Sequence, residues 1–522
     1  MLSNFSYSSD NFIVRVFGTL SNFDVKFEIN EILNSLSEPG KLENVIKKIE
    51  DDFIIYVDDL VNKKKYIFSD RLGISPYYIG IDNNVILGHS CNADKALGCN
   101  VEENNINYDS IVSLCNNGYL LGDRTIFNNV FRIKPASILK FDYQGNIEIY
   151  RYYWKWGDIK RTNESITLDE ASDVLYQKIK NQFVKKIDLN NPISITLSGG
   201  LDSRFLLAMA NDIGHRKIKC FTFGDELSPD VKFAGMVCAV KNNEHEVIPI
   251  DKDNWFAGRV ERIYRTAGMK NIMHMHGLSA LESISQHSRT ILNGYLGDLT
   301  LGGSYLKTNY KGNVVGLDSL IKYKYRSNSE GVNDNYDYFY CDSSDPCFIF
   351  NRGSRFTALG IKLVDDEIFG VKPFVFYDVL EYVYSLPDEL RVNGKLYHHM
   401  LLKYYPEYFE EIPWQSTGKP ISYSNESIFK FSYQSFMRIV KDIIRDSFLF
   451  GISLKLYNLI KGNSSFVDYE KLTNNEEFMK FESEIKKSSY YNRIINNSKL
   501  KTENMESYLM LLTVVSYLES IK

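Results

Sequence analysis

The sequence lacks any paired-cysteine pattern. Its seven cysteines are scattered through 522 residues, with no Cys-x-x-Cys pair and no metal-ligand spacing. Such an odd, unpatterned set fits free thiols in a reducing compartment. No apolar run approaches the roughly 18 residues needed to span a bilayer. Met1 to Asp10 is polar and has no apolar signal core. A strong charge of either sign is also missing: 61 Lys+Arg against 66 Asp+Glu leave a net charge of −5. That balance offers no whole-chain attraction to nucleic acid. No internal repeat or low-complexity tail is present. These absences exclude disulfide scaffolds, membrane spans and polyanion binders. The expectation is a cytoplasmic protein with neither nucleic acid nor membrane as partner. Hydrophobic content of 44% and charged content of 24% are ordinary for a globular chain.

What is present is one dense motif. Pro192-Ile193-Ser194-Ile195-Thr196-Leu197 is an apolar, β-branched run that stops at Ser198-Gly199-Gly200-Leu201-Asp202-Ser203. A helix-compatible stretch, Phe205 to Asn211, follows. Strand, glycine turn and helix start together expose backbone N–H groups and a helix N-terminus to an anion. Gly199 and Gly200 remove side chains that would block close approach, while Ser198 and Ser203 add hydroxyl donors. Asp202 would repel phosphate unless a cation sat between them, so the loop reads as a pyrophosphate cradle with a Mg²⁺ ligand built in. It is not a Walker A loop, because no Gly-Lys-Ser/Thr ends it.

Residues 1–155 read as a strand-rich, mostly antiparallel layered domain. Its expected strands are Phe12–Phe17, Phe53–Val57, Lys65–Phe68, Tyr77–Ile81, Val85–Leu87, Ser137–Phe141 and Ile147–Tyr152, separated by Asn, Asp and Gly turns. Thr167 is positioned to cap a helix from Leu168 to Phe183. Residues 165–522 form the second domain. Strands at Ile193–Leu197, Ile218–Phe223, Glu246–Ile250 and Thr290–Asn293 alternate with helices at Phe205–Asn211, Val231–Asn242 and Trp255–Ala267. That alternation predicts a parallel, doubly wound sheet with its ligand at the carboxyl ends of the strands. The glycine loop, Thr222-Phe223-Gly224 and Gly294 to Asp298 all fall at such ends. The polar stretch 305–350 predicts a lid-like insertion, and 374–522 a mainly helical region, for example Ser435–Phe450.

Ser198–Ser203 resembles the PP-loop of ATP pyrophosphatases, and most of the chain is similar to the asparagine synthetase superfamily. The implied fold is α/β: a degenerate Ntn-hydrolase-like αββα domain followed by a doubly wound PP-loop domain with helical additions. The resemblance implies ATP and Mg²⁺ as cofactors. It gives Asp202 and Asp298 the metal, and gives Leu197, Ser198, Gly199, Gly200, Asp202, Ser203, Thr222, Phe223, Gly224 and Gly294 the nucleotide and pyrophosphate. Gly294-Tyr295-Leu296-Gly297-Asp298 with Gly302-Gly303 resembles the family's Gly-x-Gly-x-Asp-Glu-x-x-Gly-Gly block. Pro373 to Asp378 and Ser385-Leu386-Pro387 resemble architectural signatures of the helical end. Lys419, in Trp414-Gln415-Ser416-Thr417-Gly418-Lys419-Pro420, falls where the family places a lysine for the adenylate and departing pyrophosphate; a solvated loop lysine is the alternative.

Asp70-Arg71-Leu72-Gly73-Ile74-Ser75-Pro76-Tyr77-Tyr78 resembles a block of the glutaminase-type domain, yet Leu2 stands where glutamine-hydrolysing members need cysteine, and the Asn-Gly-Glu segment is absent. The resemblance therefore implies a retained fold without glutaminase chemistry, as in β-lactam synthetases and lasso-peptide cyclases. Tyr295 stands where β-lactam synthetases carry a catalytic tyrosine; a chance tyrosine is the alternative. The stretch matching that tyrosine's glutamate partner holds Arg352 and Arg355, which suggest anion contact or surface residues. His274, His276, His398 and His399 are expected to pack structurally. His245 falls near the ATP site, and Asp225-Glu226 is placed to cap a helix.

The expected reaction is adenylation of a carboxylate and its condensation with an amine, the two substrates being small molecules or peptides. Further partners would be a second copy of the chain or a precursor peptide. Asparagine synthesis from free ammonia and a non-catalytic nucleotide binder remain alternatives.

Overall fold

Alternation with a period of two builds the first half. The computed structural model describes residues 2–20, 25–50, 52–162, 164–309, 311–325, 329–365, 367–422, 469–500 and 504–522. In strand β3 (Asp52–Asp59), Phe53, Ile55 and Val57 face one core while Ile54 and Tyr56 face another. Successive side chains of a strand point to opposite faces, so a strand apolar throughout must lie between two layers. The first core also holds Ile29 and Ile32 of helix α1 (Val25–Ser35) and Leu42, Val45 and Ile46 of α2 (Pro39–Ile46). The second holds Tyr77 and Ile79, the latter in β5 (Tyr78–Asp82).

Two antiparallel sheets result. One runs β1 (Leu2–Ser8), β2 (Phe12–Leu20), β3, β4 (Lys64–Ser69), β8 (Ser137–Asp142), β9 (Ile147–Tyr152). The other runs β6 (Val85–Ser90), β5, β7 (Val130–Arg132). Tyr78 turns away from the inter-sheet core, toward α3 (Ala93–Ala96) and α4 (Tyr108–Asn117), which completes the αββα order. All seven strands expected here form; β1, with its Ser- and Asn-rich sequence, and the short β7 were not expected.

Helix α5 (Leu168–Lys186) starts where its cap predicts. Thr167 Oγ1 accepts from the Glu170 N–H at 3.2 Å, and Glu170 returns a carboxylate oxygen to the Thr167 N–H at 3.1 Å. This reciprocal box satisfies donors that the first helical turn leaves open.

The second sheet is wholly parallel, in the order β12 (Glu244–Ile248), β11 (Ile218–Phe223), β10 (Ile193–Thr196), β13 (Thr290–Leu292), β14 (Phe369–Val371). The chain winds outward from β10 through β11 to β12, then returns to β10's other side. Helix α6 (Leu201–Asp212) follows β10 and is buried on nearly every side, Phe205 to Ala210 being at most 1% exposed. Each large side chain among them contributes about 1.5–3 kcal/mol of burial.

Several sequence expectations need correction. The third strand begins two residues earlier than Glu246, at Glu244. Only Val260–Ile263 of the expected Trp255–Ala267 helix is α-helical, because a 3₁₀ turn follows and Ala267 takes a φ of +48°. β14 is a fifth strand; its short Phe-Gly-Val run carries little strand signal. Segment 305–350 is packed in its described parts rather than a lid. Tyr325, Val332, Tyr338 and Phe339 join the main core, and Tyr338 donates to the Arg71 carbonyl at 2.5 Å. The described residues after 374 are mainly helical, while Ser435–Phe450 lies outside the described residues. Among the described residues no helix is long and apolar enough to cross a membrane. All seven cysteines are free.

Candidate functional site

A doubly wound sheet leaves a crevice where its winding reverses. Here that point lies between β10 and β13, the strands that carry the two motif loops. Ser198–Gly200 leaves the end of β10, and Asn293–Leu296 leaves the end of β13.

The glycine loop is organised by its own side chains. The Ser198 N–H donates to Ser203 Oγ at 3.0 Å, and the Gly200 N–H donates to Ser198 Oγ at 3.2 Å. The Gly199 N–H donates to Asp230 Oδ1 at 2.7 Å. Three loop donors are therefore engaged within the protein. Gly200 is the N-cap of α6 and has no side-chain capping bond, so the first-turn N–H groups from Leu201 onward are the set a helix start presents to an anion.

Asp202 sits in that first turn. Its Oδ2 accepts from the Asp298 N–H at 2.9 Å and its Oδ1 from the Tyr397 hydroxyl at 3.1 Å. Asp298 opens the short helix Gly297–Thr300, whose preceding residue, Leu296, holds a left-handed φ of +62°. A non-glycine residue there stores strain, which persists where surrounding structure imposes it. Despite two donors, burial and the neighbouring Asp298 push the Asp202 carboxyl up to about 8. Asp298 reaches the open crevice, yet the protein mass around it raises its carboxyl too, against the lowering effect of Arg352. Two acidic side chains brought together by the Asp298 N–H to Asp202 hydrogen bond supply the oxygen ligands that a divalent cation takes.

Around the pair, Thr222 at the end of β11 donates to the Leu197 carbonyl and also meets His245 Nε2, both at 2.8 Å. His245 thus steadies the strand end expected to face adenosine. Gly224 has a φ of +118°, and its N–H donates to the Ile248 carbonyl at 3.0 Å. The Phe223 ring lies 5.8 Å from that of His276. Gly294 packs against Asp202, a Cβ there meeting the Asp202 Cβ at 3.3 Å. Lys419 is exposed on a loop closed by pairing of Trp414 with Lys419. Among the described residues no carboxylate pairs with it.

Tyr295 is placed differently. It is 2% exposed, its hydroxyl has no close hydrogen-bond partner among the described residues, and burial raises its phenol against a smaller opposing effect of Ser354, with Asp70, Arg132 and Lys372 among its charged neighbours. It therefore lies in the seam between the two halves. Arg355 requires a correction: it is buried and gives its guanidinium to the backbone carbonyls of Leu120 and Arg124, so it ties the halves together instead of meeting an anion. Arg352 stays partly exposed beside the Phe356 ring. Both belong to a π-helix, Ile349–Thr357, whose Asn351 accepts from the Gly122 N–H at 2.8 Å. Asp225 does not cap the next helix; Ser228 does, accepting from the Val231 N–H at 3.3 Å, and Asp225 closes its own turn. His274 bonds Glu506 at 2.9 Å, His399 meets Ser172 at 3.0 Å, and the His398 ring packs 5.8 Å from that of Trp414. Tyr397, Asp230 and Gln415 were missed: each meets the loop from an element distant in sequence, Tyr397 and Asp230 belong to no motif, and Gln415 stood in the Lys419 stretch without an assigned role.

Residues 173–325 match the asparagine synthase family model, and residues 21–154 match the glutamine amidotransferase domain. The chain belongs to the asparagine synthetase superfamily. Two curated relatives of this asparagine synthetase-type chain align over parts of it. Putative asparagine synthetase (glutamine-hydrolyzing) 2 of Methanocaldococcus jannaschii is 28% identical, over 31% of this chain and 32% of its own length. Probable asparagine synthetase (glutamine-hydrolyzing) of Acanthamoeba polyphaga mimivirus is 25% identical, over 43% of this chain and 39% of its own length. The matches thus span about a third to two fifths of those relatives. Among solved structures, the NMN synthetase of Francisella tularensis shares 16% identity, with 33% of this chain and 72% of that chain covered, at a TM-score of 0.19.

Proposed function

We propose that this protein is an ATP-dependent, AMP-forming ligase that adenylates a substrate carboxylate and condenses it with an amine, without hydrolysing glutamine. The observation that carries the reading is the Asp202–Asp298 pair, held by a backbone hydrogen bond at the switch point of the parallel sheet. Burial raises both carboxyls, and the neighbouring Asp298 adds to it at Asp202. Asp202 and Asp298 would hold Mg²⁺, which supplies charge stabilisation on the phosphates of bound ATP.

In this reading the first-turn N–H groups of α6, with the hydroxyls of Ser198 and Ser203, cradle the pyrophosphate, and Gly199 and Gly200 give it close approach. Leu197, Thr222, Phe223, Gly224 and Gly294 line the nucleoside end. A substrate carboxylate oxygen attacks the α-phosphorus in line, the α–β bridging bond breaks, and pyrophosphate leaves toward Lys419. An amine then attacks the acyl carbon, AMP departs and an amide forms. Tyr295 would orient or deprotonate the amine from the seam between the halves, its buried hydroxyl having no close partner among the described residues. Free thiols fit work in the cytoplasm. The amine and carboxylate are small molecules or lie on a peptide, and a second copy of the chain or a precursor peptide would complete the assembly.

Pyrophosphate exchange into ATP with Mg²⁺, across aspartate and a carboxylate panel, tests the proposal, with Asp202→Ala as control. Exchange with a carboxylate other than aspartate supports it and names the acyl substrate. Exchange with aspartate alone points to ammonia-dependent asparagine synthesis. No exchange with any carboxylate, together with no ATP binding, overturns the enzyme.

A further inference from the structure

The loop that carries Lys419 is fastened to the glycine loop by two residues to which no motif gives a role, Asp230 and Gln415. The Gln415 N–H donates to the Gly199 carbonyl at 3.2 Å. Its amide Nε2 donates to Asp230 Oδ2 at 2.6 Å. The other oxygen of Asp230 accepts from the Gly199 N–H at 2.7 Å. Both polar groups of one peptide unit region, the N–H and C=O of Gly199, are thus held by the pair. Asp230 is 4% exposed, and burial raises its carboxyl. A buried carboxylate needs hydrogen-bond donors, and the two it has come from the glycine loop and the Lys419 loop.

Gly199 makes room for this arrangement. A Cβ there would lie 3.1 Å from Cβ of Gln415 and 3.2 Å from both Asp230 Oδ1 and Phe233 Cδ2. The glycine is therefore matched to the fastening as well as to an anion. A third residue anchors the same segment from below. Arg204, fully buried in α6, donates to the carbonyls of Ile412 at 3.0 Å, Pro413 at 2.8 Å and Gly199 at 3.3 Å. The chain enters the Lys419 loop immediately after Pro413.

We infer that Asp230 and Gln415 are positioning residues for adenylation: they clip the Lys419 loop to the pyrophosphate cradle, so the lysine's reach is set by the same loop that holds the leaving group. The inference rests on the proposed ligase reading. A flexible, exposed lysine loses little of its placement when its loop is anchored one turn away, and a displacement of about 1 Å in such a group costs on the order of 100-fold in rate. Asp230 is also an acid behind an anion site, so its removal cannot weaken phosphate binding through lost attraction.

The experiment compares D230N, Q415A, K419A, Q415A/K419A and D230N/Q415E in the full chain. The last pair keeps an acceptor for the Gly199 N–H and reverses the donor–acceptor sense toward position 415. Amide hydrogen exchange reads the clip directly. Exchange over 413–419 is expected to speed up in D230N and Q415A and to slow again in D230N/Q415E; unchanged protection in both single variants overturns the inference. Pyrophosphate exchange reads the consequence. D230N and Q415A are expected to lower the turnover rate between about 10- and 100-fold while the KM for ATP moves less than about twofold. Q415A/K419A should be little worse than K419A alone, since the clip acts through the lysine. A raised KM for ATP at unchanged turnover, or additive losses in the double variant, overturns it. A wild type that exchanges with no carboxylate counts against the ligase reading instead, and the protection data still decide the clip.

Discussion

A β-carbon on Gly297 would stand 2.5 Å from Cγ of Asp202 and 2.7 Å from each of its carboxylate oxygens. The loop after β13 thus approaches the start of α6 as closely as backbone allows, and the Asp298 N–H reaches Asp202 because of it. Gly297→Ala is expected to displace the Asp202 carboxylate and lower pyrophosphate exchange on the order of 100-fold. Gly40→Ala is the contrast. Nothing lies within 4 Å of its would-be Cβ, so this helical substitution should leave exchange unchanged and stabilise by about 0.5–1 kcal/mol. Equal exchange in both variants would refute the steric argument.

The buried hydroxyl of Tyr295 separates chemistry from packing. Tyr295→Phe removes a buried oxygen that has no close hydrogen bond to lose among the described residues, so stability should hold or rise by up to about 1 kcal/mol. Adenylation should survive while amide formation slows. Measuring exchange and product formation side by side tests this, and equal loss in both would place Tyr295 in adenylation or in neither role.

Lys270 carries a pH signature. It is 3% exposed, its ammonium donates to the Phe356 carbonyl at 3.0 Å, and it lies 3.7 Å from the centre of that residue's ring. Burial first, then Arg352, pull it down to about 7, against an ordinary value of about 10.4. The unfolded chain keeps its proton up to about 10.4 and the folded chain releases it above about 7, so the unfolded state binds more protons in that window and stability rises with pH across it. Below about 7 the penalty is complete. Lys270→Met is expected to stabilise by on the order of 1–3 kcal/mol at pH 6, with the gain shrinking toward pH 10. Denaturation midpoints at pH 6, 8 and 9.5 check it; a pH-independent difference would contradict it.

Lys372, just after the last strand of the parallel sheet, joins two acids across the molecule, at 2.9 Å from Asp52 and 2.6 Å from Asp365, with all three at most 4% exposed. Lys372→Met strands two buried carboxylates and should cost about 3–5 kcal/mol. The triple variant D52N/K372M/D365N should recover most of that loss. Thermal melts of both variants decide, and a triple variant as unstable as the single one would contradict the charge argument.

Short β-branched and aromatic runs between Asn, Asp and Gly turns made the strands of the first half readable, because a strand between two apolar layers has few polar positions to break the run. The Thr167 box and the loop after β10 were readable for the same reason: each is a local bargain between neighbouring residues. The metal-type pair Asp202 and Asp298 could be found from two separate motifs, although their distance could not. What escaped depends on partners far along the chain. Tyr397 meets Asp202 from 195 residues away and Asp230 meets Gln415 from 185. Arg355 looked like an anion ligand because charge is visible in sequence, whereas the carbonyls of Leu120 and Arg124 that absorb it are not. Polarity likewise suggested a lid over 305–350, but tyrosines such as Tyr338 bury their rings and spend their hydroxyls on carbonyls.

Helix Met505–Ser520 closes the outer face of the three-stranded sheet, where the Tyr517 hydroxyl donates to Asp94 at 3.0 Å across 423 residues of sequence. On a ribosome adding about 5–20 residues per second, Asp94 is made roughly 20–80 s before its partner. During that interval Tyr78, Leu114 and the α3 alanines present an uncovered apolar surface. The amidotransferase-type half is therefore expected to be less soluble when expressed alone than within the full chain.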